Sequence, residues 1–227
     1  MGEMRTIGEG SFQGRAYLAR PQQQQAPGVL LFHAWWGLNG FMKELADRIS
    51  AEGYVVLTPE YAPGRLASTI EEAQALASGV DWAYASALSD LAVSYLLADD
   101  GVAPKQVAAI GFSLGANPAV GLAGSRPDEV RAVVLFYGAG EGDFQKIRAA
   151  FQGHYAENDA YESPEWIGYM REQLQAAGCS VEFHTYPGTD HWFFESDRPG
   201  AYHAEASALA WERTLRFLKD EIGRRSG

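Results

Sequence analysis

The segment from Val107 to Ala116 constrains the fold more than any other stretch of the chain. A short apolar run leads into a G-x-S-x-G pattern, in which Gly111 and Gly115 flank Ser113. This pattern is typical of a sharp turn from a strand into a helix, because the turn strains the serine backbone and leaves room only for small side chains on either side. Such a turn lifts a hydroxyl into a cleft. The sequence therefore predicts that Ser113 is a nucleophile.

An acid and a histidine follow the serine in the chain order expected of a catalytic triad. A predicted strand over 149–155 runs toward Asp159, and a second over 180–186 leads to His191. The carboxyl ends of parallel strands meet at one edge of the sheet, where open α/β sheets place their sites. The sequence therefore predicts a triad of Ser113, Asp159 and His191.

Other residues remain alternatives for two of these roles. Glu157 and Glu162 lie close enough to Asp159 to act as the acid instead. Asp190 is a poor partner for His191, because adjacent side chains of an extended chain point apart. The histidines that compete with His191 are His33, His154, His184 and His203. His191 is favoured because it alone lies on a glycine-containing loop after a late strand, and His154 precedes the acid.

Strand and helix patterns alternate along the whole chain. Strand signals cover 12–20, 28–33, 55–58 and 132–138, and helix signals cover 40–51, 84–97, 164–177 and 204–222. Thr69 and Glu72 have the spacing of a capping box, which predicts a short helix after them. This alternation predicts an α/β fold with a mostly parallel sheet and helices on both faces. At 227 residues and 47% hydrophobic content, we expect one domain over 1–227.

Composition excludes several classes of function. A net charge of −11 and a pI near 4.9 argue against nucleic acid or an anionic membrane as a partner. There is no signal-peptide pattern and no run of 18 apolar residues, so we expect a cytoplasmic protein. A single cysteine, Cys179, rules out an intrachain disulfide and is expected to be a small buried apolar residue. No metal or dinucleotide motif occurs, so neither a metal nor a cofactor is expected, and the chain is expected to be a monomer or a homodimer.

Several segments together resemble the dienelactone hydrolase family of α/β-hydrolases over nearly the whole chain. They are residues 32–39, 45–48, 52–59, the G-x-S-x-G segment, 157–159 and 186–194. The resemblance implies an α/β-hydrolase fold with a sheet of about eight strands and the triad Ser113, Asp159 and His191. It also implies an oxyanion hole formed by the backbone N–H groups of Leu114 and Trp35.

The chain departs from the family pattern at three positions. Family members that open dienelactones have cysteine where Ser113 stands, glutamate where Ala34 stands and arginine where Glu195 stands. Without that arginine, the site loses a bidentate clamp for a substrate carboxylate. We expect Glu195 to repel an anionic substrate instead.

The loops around the predicted nucleophile contain many aromatic residues. Core packing is the alternative explanation for each one, but together they predict an apolar cleft for an acyl or aryl group. Tyr61 and Arg65, in the loop after the strand over 55–58, could cap this cleft. The predicted substrate-binding residues are Trp36, Tyr61, Arg65, Tyr137, Trp192 and Glu195.

These residue types predict a serine hydrolase that cleaves an ester, a lactone or a thioester through an acyl-enzyme. His191 would act as the general base and then as the general acid. A small serine peptidase or an acyl transferase would use the same triad. A homologue that binds ligands without turnover is the alternative from outside catalysis.

Overall fold

The computed structural model describes residues 1–223 and contains one eight-stranded sheet. Its strands are β1 (Glu3–Glu9), β2 (Phe12–Ala19), β3 (Ala26–Phe32), β4 (Val55–Pro59), β5 (Val102–Phe112), β6 (Val130–Phe136), β7 (Ala150–Asn158) and β8 (Val181–Asp190). The strand order across the sheet is β1-β2-β4-β3-β5-β6-β7-β8. The β1–β2 and β2–β4 pairs are antiparallel, and the pairs from β4 to β8 are parallel. This arrangement confirms the predicted fold class.

Six helices accompany the sheet in the described part of the chain. They are α1 (Gly40–Ala51), α2 (Ile70–Ser78), α3 (Trp82–Ala98), α4 (Ala116–Ser125), α5 (Pro164–Ala176) and α6 (Ala204–Ile222). One core cluster joins one face of the sheet to α1, α2 and α6, and a second joins the other face to α3, α4 and α5. Helices therefore cover both faces, which is why β3 and β4 are buried at every residue.

Two local features test the sequence patterns directly. The capping box before α2 is present, because the Thr69 hydroxyl accepts the Glu72 N–H and the Glu72 carboxylate accepts the Thr69 N–H. Strand β1 was not predicted. Among its seven residues only Ile7 is buried, so this edge strand lacks the apolar run that marks the central strands.

Among residues 1–223, no helix combines the length and the apolar composition that a membrane span requires. Cys179 is only half-buried, and its Sγ lies 3.6 Å from the Ile147 carbonyl oxygen. Burial raises the pKa of the Cys179 thiol, so the thiol stays protonated at neutral pH.

Candidate active site

The turn between β5 and α4 has the geometry that the G-x-S-x-G pattern predicts. Ser113 has φ of 49°, in the left-handed region that a residue with a side chain rarely adopts. A Cβ atom at Gly111 would lie 2.4 Å from the Gly115 carbonyl oxygen, and one at Gly115 would lie 2.5 Å from the Phe32 carbonyl oxygen. Gly111 is therefore required for the turn to close on itself, and Gly115 for it to pack against the end of β3.

The structure brings Ser113, His191 and Asp159 into one chain of hydrogen bonds. The distance from Ser113 Oγ to His191 Nε2 is 2.9 Å. His191 Nδ1 lies 2.8 Å from each carboxylate oxygen of Asp159. A carboxylate only accepts, so Nδ1 carries the proton and Nε2 is free to accept the serine proton. This is the tautomer that a general base requires.

Asp159 is held as a carboxylate by its surroundings. Burial raises the pKa of Asp159. The hydrogen bond and charge of His191, together with two backbone donors, lower this pKa by more than burial raises it, so the net pKa lies below the ordinary value. The backbone donors are the N–H groups of Tyr161 and Glu162, each 2.9 Å from Asp159 Oδ1. Asp159 is therefore anionic at neutral pH and can stabilise an imidazolium on His191.

The alternative residues have other partners. Glu157 accepts the Gly188 N–H at 2.9 Å, and Glu162 accepts the Ala139 N–H at 2.8 Å. The four other histidines also lie outside the triad: His33 bonds the Ala34 carbonyl, His154 bonds Tyr186, His184 contacts Glu182 and His203 caps α6.

A cleft of about 660 Å³ opens over the nucleophile. Its lining includes Ser113, His191 and both residues expected to form an oxyanion hole, Leu114 and Trp35. Leu114 is the second residue of a 3₁₀ turn over 113–115 that leads into α4. The first N–H groups of a helix have no partner within the helix, so this N–H is available to a ligand.

A second cleft of about 560 Å³ also has His191 in its lining. Trp36 and Trp192, two of the predicted substrate-binding residues, line it together with Arg198. The Arg198 guanidinium stacks on the Trp36 ring, 3.6 Å from its centroid. His191 and Tyr161 line both clefts, so the two clefts are neighbours beside the triad.

The family model for the dienelactone hydrolase family matches residues 15–222. The chain belongs to the dienelactone hydrolase family. It is 28% identical to "Protein usf" of Aquifex pyrophilus, over 98% of this chain and 100% of that protein. It is 25% identical to a protein of Aquifex aeolicus (strain VF5) provisionally named a carboxymethylenebutenolidase, over 96% of this chain and 98% of that one. The solved structure titled m3DLH superposes with a TM-score of 0.86 at 25% identity, over 98% of each chain.

Membership of the dienelactone hydrolase family makes the chain a hydrolase of that type, with the α/β-hydrolase fold. The shared fold does not fix the direction of every side chain near the site. Four of the six residues expected to contact substrate lie elsewhere in this member.

The prediction that Tyr61 and Arg65 cap the cleft is wrong. Tyr61 is buried in the core on the α3 and α4 side of the sheet, where its ring stacks on His33 with a centroid distance of 3.9 Å. Glu60 N–H still bonds the Arg15 carbonyl, so the chain follows the sheet beyond β4 and directs Tyr61 inward. Arg65 reaches toward the Gly79 carbonyl at 3.5 Å and lines neither cleft.

The prediction that Tyr137 and Glu195 contact substrate is also wrong. Both are buried, and the Tyr137 hydroxyl donates to Glu195 Oε1 at 2.8 Å. Tyr137 packs against His191 from the core side, with ring centroids 4.9 Å apart. The N–H of Glu195 bonds the Trp192 carbonyl, and this turn reverses the chain after His191 and points Glu195 into the core.

Burial raises the pKa of Glu195 to about 8, although the hydrogen bond from Tyr137 lowers it in part. Glu195 is therefore mostly neutral at pH 7. A buried and neutral side chain exerts no repulsion on an anionic substrate, so the expected charge selection against such substrates has no basis in this residue.

Tyr161 is the residue of the site that sequence reasoning missed. Its ring lies 5.2 Å from the His191 ring, 4.8 Å from Trp192 and 5.4 Å from Trp35, measured between centroids. The signal was its place two residues after the expected acid, because a loop that holds the acid beside the histidine must pass close to the reacting atoms.

Within residues 1–223, no three histidine, cysteine, aspartate or glutamate side chains converge in a way that would hold a metal ion.

Proposed function

We propose that this chain hydrolyses a carboxylic ester, lactone or thioester through an acyl-enzyme on Ser113. The observation that carries the proposal is the continuous hydrogen-bond chain from the Ser113 hydroxyl through His191 to Asp159. Its members are positioned from three different loops, and the carboxylate is held anionic at the far end. Such a chain serves to move a proton from a hydroxyl to an imidazole and back.

In the proposed first step, Ser113 Oγ attacks the carbonyl carbon of the substrate while His191 Nε2 takes the hydroxyl proton. The carbonyl oxygen becomes an oxyanion, and the backbone N–H groups of Leu114 and Trp35 stabilise it. Asp159 stabilises the imidazolium that forms. The carbon–oxygen or carbon–sulfur bond then breaks, and His191 returns the proton to the leaving group.

In the second step, water enters and gives a proton to His191 as its oxygen attacks the acyl carbon. A second tetrahedral oxyanion forms in the same position and collapses. The acid product leaves, and Ser113 recovers its proton. Both steps use the same three side chains, so no further acid or base is needed.

The two clefts indicate how a substrate would lie. Because both clefts have His191 in their lining, the acyl group can occupy one cleft and the leaving group the other. Tryptophan and tyrosine side chains line both, which favours apolar or aromatic groups over strongly charged ones. Trp36, Trp192 and Tyr161 are the side chains that we assign to substrate binding. A lactone fits the same scheme, with its leaving oxygen still attached to the acyl group, and the provisional name of the Aquifex aeolicus relative points to lactones.

Turnover of a substrate panel by the wild type and by Ser113→Ala tests the proposal. The panel contains p-nitrophenyl esters, a simple lactone, an acyl thioester and a p-nitroanilide as the peptidase control. We expect ester, lactone or thioester turnover that falls by about 10³- to 10⁶-fold in kcat on substitution, with the anilide hydrolysed far more slowly. Absence of wild-type turnover on the esters, the lactone and the thioester, or full activity in Ser113→Ala, would contradict the proposal.

A further inference from the structure

His33 is a buried histidine that the proposed mechanism does not use. It follows β3 directly and is 0% exposed. Its Nδ1 lies 2.8 Å from the carbonyl oxygen of Ala34, the next residue. A carbonyl only accepts, so Nδ1 carries the ring proton and donates it to Ala34. Burial lowers the pKa of His33 to about 4, so the ring is neutral at pH 7 and this tautomer persists.

The carbonyl that His33 bonds belongs to the peptide unit of the proposed oxyanion donor. The Ala34 carbonyl and the Trp35 N–H share one planar trans peptide, in which they point in opposite directions. Fixing the direction of the carbonyl therefore fixes the direction of the N–H. The Gly37 N–H also donates to the same carbonyl, at 3.2 Å. Two donors on one carbonyl hold the peptide plane and polarise its N–H, which strengthens that donor.

Tyr61 holds the preceding peptide in the same way. Its hydroxyl donates to the His33 carbonyl oxygen, and its ring stacks on the imidazole with an interplanar angle of 3°. Within residues 1–223, no protein group bonds His33 Nε2, so the ring makes its one protein hydrogen bond to Ala34. The stacked pair thus immobilises two successive peptides after β3, each through its carbonyl oxygen.

The backbone at His33 also contacts the turn that carries Ser113. A Cβ atom at Gly115 would lie 2.7 Å from the His33 carbonyl oxygen, the atom that Tyr61 bonds. The backbone of the turn that carries Ser113 and Leu114 therefore rests directly on the peptide that His33 and Tyr61 hold. This contact sets the spacing between the two N–H groups of the proposed oxyanion hole.

We propose that His33, supported by Tyr61, is a positioning residue for the oxyanion hole, which acts by orienting the Ala34–Trp35 peptide. The proposal rests on the ester-hydrolase function proposed above. Neither side chain lines the cleft over Ser113, so both act through the backbone and not on the substrate. The oxyanion exists only in the transition state and in tetrahedral intermediates, and a defect in the hole therefore lowers kcat while KM stays nearly constant.

Two substitutions at His33 separate the donor from the ring. His33→Phe keeps a ring that can stack on Tyr61 but removes the donor to Ala34. His33→Asn loses the ring but has an amide N–H near the place of Nδ1. We expect kcat for a p-nitrophenyl ester to fall by about 10- to 100-fold in His33→Phe, since loss of one whole oxyanion donor costs about 10²- to 10³-fold. His33→Asn is expected to recover at least half of that loss on a logarithmic scale.

Tyr61→Phe has a matched control elsewhere in the chain. It removes only the hydroxyl that bonds the His33 carbonyl, and we expect kcat to fall by about 5- to 20-fold, less than for loss of a whole oxyanion donor. Tyr17→Phe removes a tyrosine hydroxyl that bonds Asp47 on α1. We expect Tyr17→Phe to leave kcat unchanged. Equal losses in the two variants would show that loss of any tyrosine hydrogen bond is sufficient, which overturns the proposal.

Inhibition by phenylboronic acid reports on the oxyanion hole independently of turnover. A boronic acid forms a tetrahedral adduct with a serine nucleophile, and one of its oxygens occupies the place of the oxyanion. Across the wild type, His33→Phe, His33→Asn and Tyr61→Phe, we expect Ki to rise in proportion to the fall in kcat/KM. A purely structural role would change the melting temperature without this proportionality. Unchanged kcat and Ki in His33→Phe would refute the positioning role, as would a loss of kcat in His33→Asn equal to that in His33→Phe. Ester hydrolysis by the wild type would still support the proposed function in either case.

Discussion

Replacing Glu195 with glutamine should stabilise this protein, and the gain should depend on pH. Glu195 is buried beside Tyr137, and burial raises its pKa from 4.5 to about 8. In the unfolded chain the same carboxyl ionises near the lower value. Between pH 4.5 and about 8 the folded protein therefore binds a proton that the unfolded chain has released, and the free energy of unfolding falls as pH rises.

The size of the effect follows from the two pKa values. One pKa unit corresponds to 1.36 kcal/mol, so the wild type loses about 3 kcal/mol of stability from this group by pH 7 and about 4 kcal/mol by pH 8. Above the folded pKa the loss levels off. Glutamine has a similar shape, stays neutral and keeps an oxygen that accepts the Tyr137 hydroxyl. Glu195→Gln should therefore match the wild type near pH 4.5 and exceed it by an increasing margin toward pH 8.

Urea denaturation of both proteins between pH 4.5 and 8.5 measures this margin. Glu172→Gln makes the same substitution on the exposed side of α5 and is the matched control. A difference between Glu195→Gln and the wild type that stays constant within about 0.5 kcal/mol over this range would refute the reasoning. It would mean that Glu195 is ionised in the folded protein or that its surroundings relax to solvate it.

Three further substitutions test the site. Asp159→Asn should lower kcat by about 10⁴-fold because the imidazole is then held in the wrong tautomer, whereas Glu157→Gln should lower kcat only a little. Ester hydrolysis kinetics of both variants test this, and a larger loss in Glu157→Gln would assign the role of the acid to Glu157. Gly115→Ala should abolish activity and lower the melting temperature, since its Cβ would lie 2.5 Å from the Phe32 carbonyl oxygen; retention of wild-type kcat would contradict the close contact. Cys179→Ser should keep the wild-type kcat, and inactivation by a thiol reagent that this substitution prevents would count against a serine nucleophile.

Much of the fold was predictable because its signals are local. The alternation of apolar strands with capped amphipathic helices indicated the parallel sheet, and the glycines around Ser113 indicated the turn between β5 and α4. Asp159 and His191 could be predicted because a parallel sheet gathers the carboxyl ends of its strands at one edge. The edge strand β1 gave no comparable signal, since it buries only Ile7.

Side-chain direction after a strand end was not predictable from the sequence. Tyr61 and Glu195 stand in loops that approach the site, and nothing in their local sequence says whether they face the cleft or the core. The structure turns both inward, because backbone hydrogen bonds from Glu60 to Arg15 and from Glu195 to Trp192 set the path of the chain. Tyr161 is exposed and belongs to no motif, so its only signal was its place two residues after Asp159.

Peptide mapping after treatment with a fluorophosphonate tests the central claim most directly, because the reagent forms a stable covalent bond with an activated serine hydroxyl. We expect one adduct per chain, located by mass spectrometry on the peptide that contains Ser113, and none in Ser113→Ala. His191→Ala should react far more slowly, since the proton acceptor is gone. An adduct on another residue, or labelling that persists in Ser113→Ala, would contradict the assignment of the nucleophile.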